Sequence, residues 1–383
     1  MQVLQLHTNY SSSFPSGENL TVSELTKIVS NDLCKIETNY LNSDDLKGKK
    51  LFLQVIKIFF SRRLNGRSIK SLIDFDFILI HNEFPVLPLA VLRRLNKNGI
   101  SIIRVVHNYR ASCLAGTNRF RGDNCFKCTK NNFSRGIKRG CYRGSRTASF
   151  IRGIYSKSFN KHLLASNVHF VAISENIQSY LWNTFGKDIR VHVIHNSVKE
   201  SPSIFETASE VIFIGRLESE KGVENLLNTW KYDHSLPRIH IIGSGSLSSK
   251  VQESAILDGR VIFHGKLTKD QIDNVARDCK VAIFPNTWIE PFGRTYAEAL
   301  SRGQAMVSTS GGIADSIISV GVNGYLTDLD FESLAKSIKC ALQLPYQEHY
   351  RESKRLYQSQ FSNEVWESNW SNFLTSLQTE KGK

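Results

Sequence analysis

A chain of 383 residues, 41% hydrophobic and 22% charged, has the composition of an ordinary folded protein and exceeds what one core usually serves, so about two domains are expected. No apolar run approaches the roughly 20 residues that span a bilayer; the best, Leu51-Phe-Leu-Gln-Val-Ile-Lys-Ile-Phe-Phe60, is short and carries Lys57. The net charge of +14 is unevenly spread: residues 1–199 hold 30 Lys/Arg against 12 Asp/Glu, residues 200–383 hold 19 against 23, and 104–161 holds 14 basic residues against one acid, Asp123. Such a basic first half implies an anionic partner: a phospholipid surface, a lipid-linked diphosphate or nucleic acid.

In chain order, Met1-Gln-Val-Leu-Gln-Leu-His7 lacks the basic start, apolar stretch and cleavage site of a secretory leader and reads as a first strand. A cytoplasmic protein is expected, with its seven cysteines reduced or metal-bound. Further strands are predicted at 75–80, 100–106, 168–173 and 191–194, then at 211–214, 239–242, 261–263, 281–284 and 305–308. Helices are predicted at 223–230, 247–256, 269–277 and 295–302. Continuous apolar strands alternating with helices predict an α/β protein with parallel sheets covered on both faces, whose ligands bind at the carboxyl ends of the strands. The polar, proline-bearing Lys199-Glu-Ser-Pro-Ser-Ile204 reads as a linker between domains 1–199 and 200–361. The tail 362–383 contains an amphipathic helix with Val365, Trp366, Trp370, Phe373 and Leu377 on one side.

The informative residues follow the strands. Ile214-Gly-Arg-Leu-Glu-Ser-Glu-Lys-Gly222 places Arg216 and Lys221 beside the turn at Gly215, two cations that could neutralise a diphosphate in place of a metal. Ile242-Gly-Ser-Gly-Ser246 contributes Gly243 and Gly245, weak evidence taken alone. Asn286-Thr-Trp-Ile-Glu-Pro-Phe-Gly-Arg-Thr-Tyr-Ala-Glu-Ala-Leu300 sets Glu290 and Glu298 on either side of a loop-to-helix junction, where unpaired N–H groups favour anions and carboxylates can bind vicinal hydroxyls. Cys113, Cys125, Cys128 and Cys141 lie in the most basic segment; a tetrahedral zinc site, reduced unliganded thiols and a redox pair are all compatible with their spacing.

Together these motifs resemble the retaining glycosyltransferases of family 4, bacterial surface-polysaccharide type, strongly over 211–327 and weakly elsewhere. The resemblance implies the GT-B fold, two Rossmann-like domains facing each other across a cleft, with the last helix crossing back to the first domain. It implies transfer of a sugar from a nucleoside-diphosphate sugar to a hydroxyl of a glycan or lipid-linked acceptor, in polysaccharide or lipooligosaccharide synthesis, with no catalytic metal or other cofactor. By resemblance, Arg216 and Lys221 hold the diphosphate, Lys266 and Leu267 meet the base, and the backbone of Phe292, Gly293 and Arg294 meets sugar and phosphate. Glu290 meets the reacting sugar and Glu298 the ribose. Arg294 departs from the small or apolar residue usual at its position.

In the acceptor half, Ser16 and Gly17 match a loop that usually carries two glycines, so only one is retained. His107, structural in most proteins when found singly after a strand, matches a histidine beside the transferred sugar. The Cys/Arg-rich insertion 107–146 is similar to one in a subset of polysaccharide-assembly enzymes of that family, which implies that it shapes the acceptor side. The basic first domain implies peripheral association with the inner face of the membrane. The competing readings are a glycosyltransferase with a soluble small-molecule acceptor and a basic nucleic-acid-binding protein; no nucleic-acid module is recognisable, and no nucleic-acid partner is expected.

Overall fold

The computed structural model describes residues 1–9, 17–28, 35–46, 48–68, 70–129 and 131–381. They form two compact units: Met1–Asn118 with Cys125–His195 and Glu367–Lys383, and Arg119–Asn124 with Asn196–Trp366.

The first unit is built from β1 (Gln2–Asn9), α1 (Gly17–Ile28), β2 (Lys35–Asn42), α2 (Gly48–Phe60), β3 (Phe77–Ile80), α3 (Leu89–Lys97) and β4 (Ser101–Val106). The short hairpin β5 (Arg119–Phe120) and β6 (Asp123–Asn124) interrupts it, and α4 (Ser134–Arg139), α5 (Arg146–Leu164), β7 (Val168–Ala172), α6 (Glu175–Phe185) and β8 (Val191–Val193) complete the series. Its six parallel strands run β2-β1-β3-β4-β7-β8. Strands β3, β4 and β7 are buried along their whole length, as a sheet covered on both faces requires. Register sets Leu6 beside Ile80 and Ile80 beside Arg104, so β1, running on to Asn9, and β4, running on to Val106, extend past the end of β3.

The second unit comprises β9 (Glu210–Ile214), α7 (Val223–Tyr232), β10 (Ile239–Ile242), α8 (Ser248–Leu257), β11 (Val261–Gly265), α9 (Lys269–Ala276) and β12 (Cys279–Phe284). It continues through α10 (Arg294–Arg302), β13 (Ala305–Thr309), α11 (Ala314–Ile317), β14 (Gly324–Thr327), α12 (Phe331–Gln343) and α13 (Tyr346–Leu356). The parallel order is β11-β10-β9-β12-β13-β14, a doubly wound sheet with its switch point between β9 and β12. Helix α9 starts on a capping box in which Thr268 and Gln271 satisfy each other's backbone N–H groups. The fold class expected from the sequence is the one observed: two Rossmann-like α/β domains of the GT-B class.

Predicted strands agree with the observed ones to within about two residues, the scatter usual at element ends. The polar segment that reads as a linker is held against the second unit, where the Ile204 N–H donates to the Arg302 carbonyl at 3.0 Å and Ser201 is buried. The tail forms α14 (Asn363–Lys381), with Trp366, Trp370, Phe373 and Leu377 buried; the Phe373 ring lies 4.7 Å from His192 in the first unit. Features with no counterpart in the sequence reading include the edge strands β2 and β14, the β5–β6 hairpin, the helices α1 to α6 of the first unit, α11, and the pair α12–α13.

Close approach governs the carboxyl edge of the second sheet. Gly243 has φ +144°, and a Cβ there would stand 1.8 Å from the Gly215 carbonyl oxygen, which no rotamer can relieve. Gly243→Ala is therefore expected to destabilise this unit by about 2–4 kcal/mol, because both a left-handed backbone and a backbone clash are imposed. Thermal unfolding of the variant checks this; an unchanged midpoint would show that the two turns do not touch.

Candidate active site

At the switch point of the second sheet, the loop after β9 and the loop after β12 meet. Gly222, at φ +68°, closes the first loop, and its missing Cβ would lie 1.7 Å from the Pro285 carbonyl oxygen. The Thr287 N–H donates to the Glu220 carbonyl at 2.9 Å, and the Thr287 hydroxyl donates to the Ser219 carbonyl. This contact carries Lys221 to Glu290: the ammonium donates to the carboxylate and lies 5.5 Å over the Trp288 ring. Glu290 is buried and Lys221 largely so. Ion pairs removed from water interact strongly, but each charge has lost hydration and depends on its partner.

The other predicted donor residues distribute around this pair. Arg216 is exposed and pairs with Glu220 at 2.9 Å. The turns at 215–222 and 243–246 are tied together by Glu218, whose carboxylate accepts from the Ser246 N–H at 3.0 Å and its hydroxyl at 2.6 Å. That hydroxyl bond holds the Glu218 carboxyl below the usual range. Gly293 is the N-cap of α10, Arg294 opens the helix, and Glu298 sits half-buried one turn later, its carboxylate without a partner among the described residues. Phe292 turns its ring inward against Phe361, at 5.8 Å. Helix α10 is fixed by Tyr296, which stacks on Phe284 at 3.8 Å and hydrogen-bonds Asn286 and Ser308. Lys266 is exposed and Leu267 half-buried just beyond the edge strand β11, on the far side of β10 from the switch point.

The first unit gathers a separate polar cluster at the carboxyl ends of β1, β3 and β4. His107 Nε2 lies 2.9 Å from His81 Nδ1 with the rings stacked, and the His7 ring stands edge-on to His81 at 6.0 Å. His7 Nε2 is 2.9 Å from Asn19, and Glu18 is 3.8 Å from His7 Nδ1 and accepts from the Asn108 amide at 3.3 Å. Burial pushes the His107 imidazole down to about 4; Glu18 opposes this, and His7 and Arg104 reinforce it. Burial also lowers His81 and His7. Three neutral imidazoles result, and His107 Nδ1 and His81 Nε2 have no hydrogen-bond partner among the described residues.

Behind the histidines, Arg104 and Arg152 both bind Glu83, Arg152 at 2.8 Å. Burial would raise the Glu83 carboxyl, but the two guanidiniums hold it at about 2. The sequence reading found His107 but missed His7, His81, Glu83 and Glu18. Its available signal was the recurrence of histidine at the end of successive strands. Ser16 lies outside the described residues; Gly17 begins α1.

The four cysteines of the insertion gather around α4 without forming a metal cage. Cys125 Sγ accepts from Arg139 at 3.5 Å, Cys128 Sγ lies against Gly136, and the Cys141 N–H donates to the Gly136 carbonyl. Burial raises the Cys128 and Cys141 thiols. Four sulfurs on one zinc at about 2.3 Å stand just under about 4 Å apart. Among the described residues the only three potential ligand atoms within 4.8 Å of one another are those of Glu210, His240 and Cys279. Of the three readings that the cysteine spacing left open, the zinc site is unsupported, because no three of these sulfurs lie that close. The Glu210 group is already satisfied internally, since His240 meets Glu210 and His264 and the Cys279 thiol donates to Val275.

Residues 196–357 match the family model described as Glycosyl transferases group 1, so the second unit is a domain of that family. An uncharacterized 42.6 kDa protein in the cps region of Klebsiella pneumoniae is 29% identical over 164 residues, 41% of this chain and 43% of the relative. The lipopolysaccharide 1,2-N-acetylglucosaminetransferase of Salmonella typhimurium is 24% identical over 45% of this chain and 49% of its own length. The chain thus matches less than half the length of these curated relatives. The crystal structure of Anabaena HepE in complex with UDP shares the fold, with a TM-score of 0.68 at 15% identity over 98% of this chain and 100% of that one.

The histidine cluster has a consequence for pH. An unfolded histidine binds a proton near 6.5, whereas His107 resists one until about 4, so the unfolded state takes up protons first and stability is lost as pH falls from about 6.5 to 4. His107→Asn should flatten the decline of the thermal midpoint across that window relative to wild type. Parallel pH profiles of the two proteins would contradict the burial of a neutral imidazole.

Proposed function

We propose that this chain is a retaining glycosyltransferase of family 4. It moves a sugar from a nucleoside-diphosphate sugar to a hydroxyl of a glycan or lipid-linked acceptor, at the cytoplasmic face of a membrane, in cell-surface polysaccharide or lipooligosaccharide synthesis. The observation that carries the reading is the Lys221–Glu290 pair at the switch point of a glycosyl transferases group 1 domain, where open α/β sheets bind their ligands. The printed activity of the Salmonella relative and the UDP bound by HepE support the substrate class.

The ion pair is the donor site's resting state. A diphosphate entering between the loops takes the Lys221 ammonium and draws Arg216 from Glu220, because phosphate oxygens offer two charges where each carboxylate offers one. Glu290, released from Lys221, is then free to accept hydrogen bonds from the sugar, and Glu298 on α10 accepts from ribose hydroxyls. As the bond from the sugar's anomeric carbon to the phosphate oxygen breaks, negative charge grows on the departing diphosphate. Arg216 and Lys221 are placed to stabilise it without a divalent metal. The acceptor oxygen bonds to the same carbon on the same face, and its proton leaves to the departing phosphate or to solvent. In the first unit, the unpartnered Nδ1 of His107 offers an acceptor or donor position to a substrate hydroxyl.

Lys221→Ala should weaken UDP binding by about 1.5–3 kcal/mol, the range for a lost charge-assisted hydrogen bond. Glu290→Gln should leave UDP binding intact or tighter, since it frees Lys221, while turnover falls by roughly 100-fold or more. Calorimetry with UDP and turnover with a panel of nucleotide sugars separate the two roles. Unchanged UDP affinity in Lys221→Ala would overturn the donor assignment.

Metal independence has its own check. Activity should persist in excess EDTA, and inactivation reversed by Mg²⁺ or Mn²⁺ would contradict it.

A further inference from the structure

The first unit contains a cavity of about 400 Å³ that the donor chemistry leaves unexplained. Its walls are Leu51 and Val55 of α2, Ile151 of α5, and Phe84. Its polar end lies at Thr8, Asn9 and Asn82, the carboxyl ends of β1 and β3, beside the histidine cluster. Three guanidiniums line it: Arg110, Arg143 and Arg152. Arg152 is 2% exposed, spends one nitrogen on Glu83, and its Nη1 has no hydrogen-bond partner among the described residues. A buried guanidinium nitrogen without an acceptor is costly, and an anionic group in the cavity would satisfy it.

The same two helices carry apolar residues outward. On α2, Gln54 and Ile58 are buried, Gln54 donating to the Pro85 carbonyl at 2.7 Å, while Phe52, Leu53, Ile56 and Phe60 are 66%, 54%, 41% and 77% exposed. Phe52 precedes the cavity residue Val55 by three positions, so cavity wall and exposed face are contiguous along the helix. On α5, Phe150 and Ile154 are exposed one turn apart, 53% and 44%. Both faces are basic: Lys49, Lys50 and Lys57 stand exposed on α2, and Arg146, Lys157 and Lys161 on α5, with no acid in either helix. The nearest acids in sequence, Asp44 and Asp45, precede α2. Large exposed aromatics interleaved with cations on a helix too short to span form an interfacial pattern.

Resting on the glycosyltransferase reading, we propose that α2 and α5 lie in the interface of an anionic bilayer and that the cavity between them takes the apolar chain of a phosphate-bearing lipid acceptor. The chain would run along Leu51, Val55 and Ile151, with the phosphate on Arg152, Arg143 and Arg110. The reacting hydroxyl would then stand at the polar end, which Thr8, Asn9 and Asn82 form at the strand ends. Apolar burial and charge act together: insertion of the aromatic residues supplies salt-insensitive affinity, and the lysines and arginines supply a salt-sensitive share.

The test uses the full chain and two probes. For the surface, flotation with phosphatidylcholine vesicles, with and without phosphatidylglycerol, compares wild type with the combined substitutions Phe52→Ser, Ile56→Ser and Phe60→Ser. Wild type should float with anionic vesicles and the variant should bind roughly tenfold more weakly, with its thermal midpoint and UDP affinity retained. For the cavity, dodecyl phosphate is compared with dodecanol and with inorganic phosphate, since only the first offers both chain and charge. Dodecyl phosphate should bind best, and Ala148→Phe, which fills the cavity, or Arg143→Gln, which adds no bulk, should each weaken it. Equal flotation of wild type and triple variant, or equal binding of dodecyl phosphate by all three proteins, would overturn the proposal. Loss of UDP binding in the wild type with dodecyl phosphate still bound would instead sink the glycosyltransferase reading alone.

Discussion

Backbone packed directly on backbone is the constraint from which the second unit's site follows. The turns after β9, β10 and β12 can meet only because Gly222 and Gly243 present no Cβ to the carbonyls of Pro285 and Gly215. That approach brings Lys221 and Glu290 together from positions 69 residues apart and sets the Glu218 carboxylate on Ser246. A side chain at either glycine would spread the loops by more than a hydrogen bond can bridge. The chemistry of the edge is thus bounded by sterics before any charge is considered.

Electrostatics then differ between the two units. In the second, each cation of the loop after β9 has a carboxylate partner, so the edge is close to neutral until a ligand replaces one partner. In the first, one carboxylate, Glu83, is shared by two buried guanidiniums, and the nearby histidines are neutral. With Glu18 beside His7, two carboxylates face these two guanidiniums out of water, and each ion depends on partners in place of hydration.

The second sheet was legible in the sequence because each strand is a short apolar block followed at once by its functional loop. At 239–242, 281–284 and 305–308 the apolar residues mark most of each strand, and Gly215, Arg216 and Lys221 lie in the loop that follows β9. The first unit was less legible for physical reasons. Strand β2, Lys-Ile-Glu-Thr-Asn-Tyr-Leu-Asn, is an edge strand with half-exposed residues and lacks an apolar signature. Helix α2 carries large apolar residues on its exposed side as well as its buried one, so its run 51–60 reads first as a bare apolar stretch. Glu83, His81 and His7 acquire meaning only from pairing across strands, which one-dimensional spacing cannot convey. The cysteine spacing left a zinc site, reduced thiols and a redox pair open, because spacing alone does not fix how far apart the sulfurs come to rest around α4.

The polarity of β2 has a consequence for the molecule in company. A parallel sheet that ends in an open strand offers a row of unpaired N–H and C=O groups to any passing chain, and a second copy would add itself there readily. Lys35 and Glu37 place opposite charges along that border, and Arg67 reaches across to bind Glu37. An incoming strand would have to displace that ion pair and bury charge in the process. The residues that hid this strand from a hydrophobicity reading thus oppose templated aggregation at the margin of the first sheet.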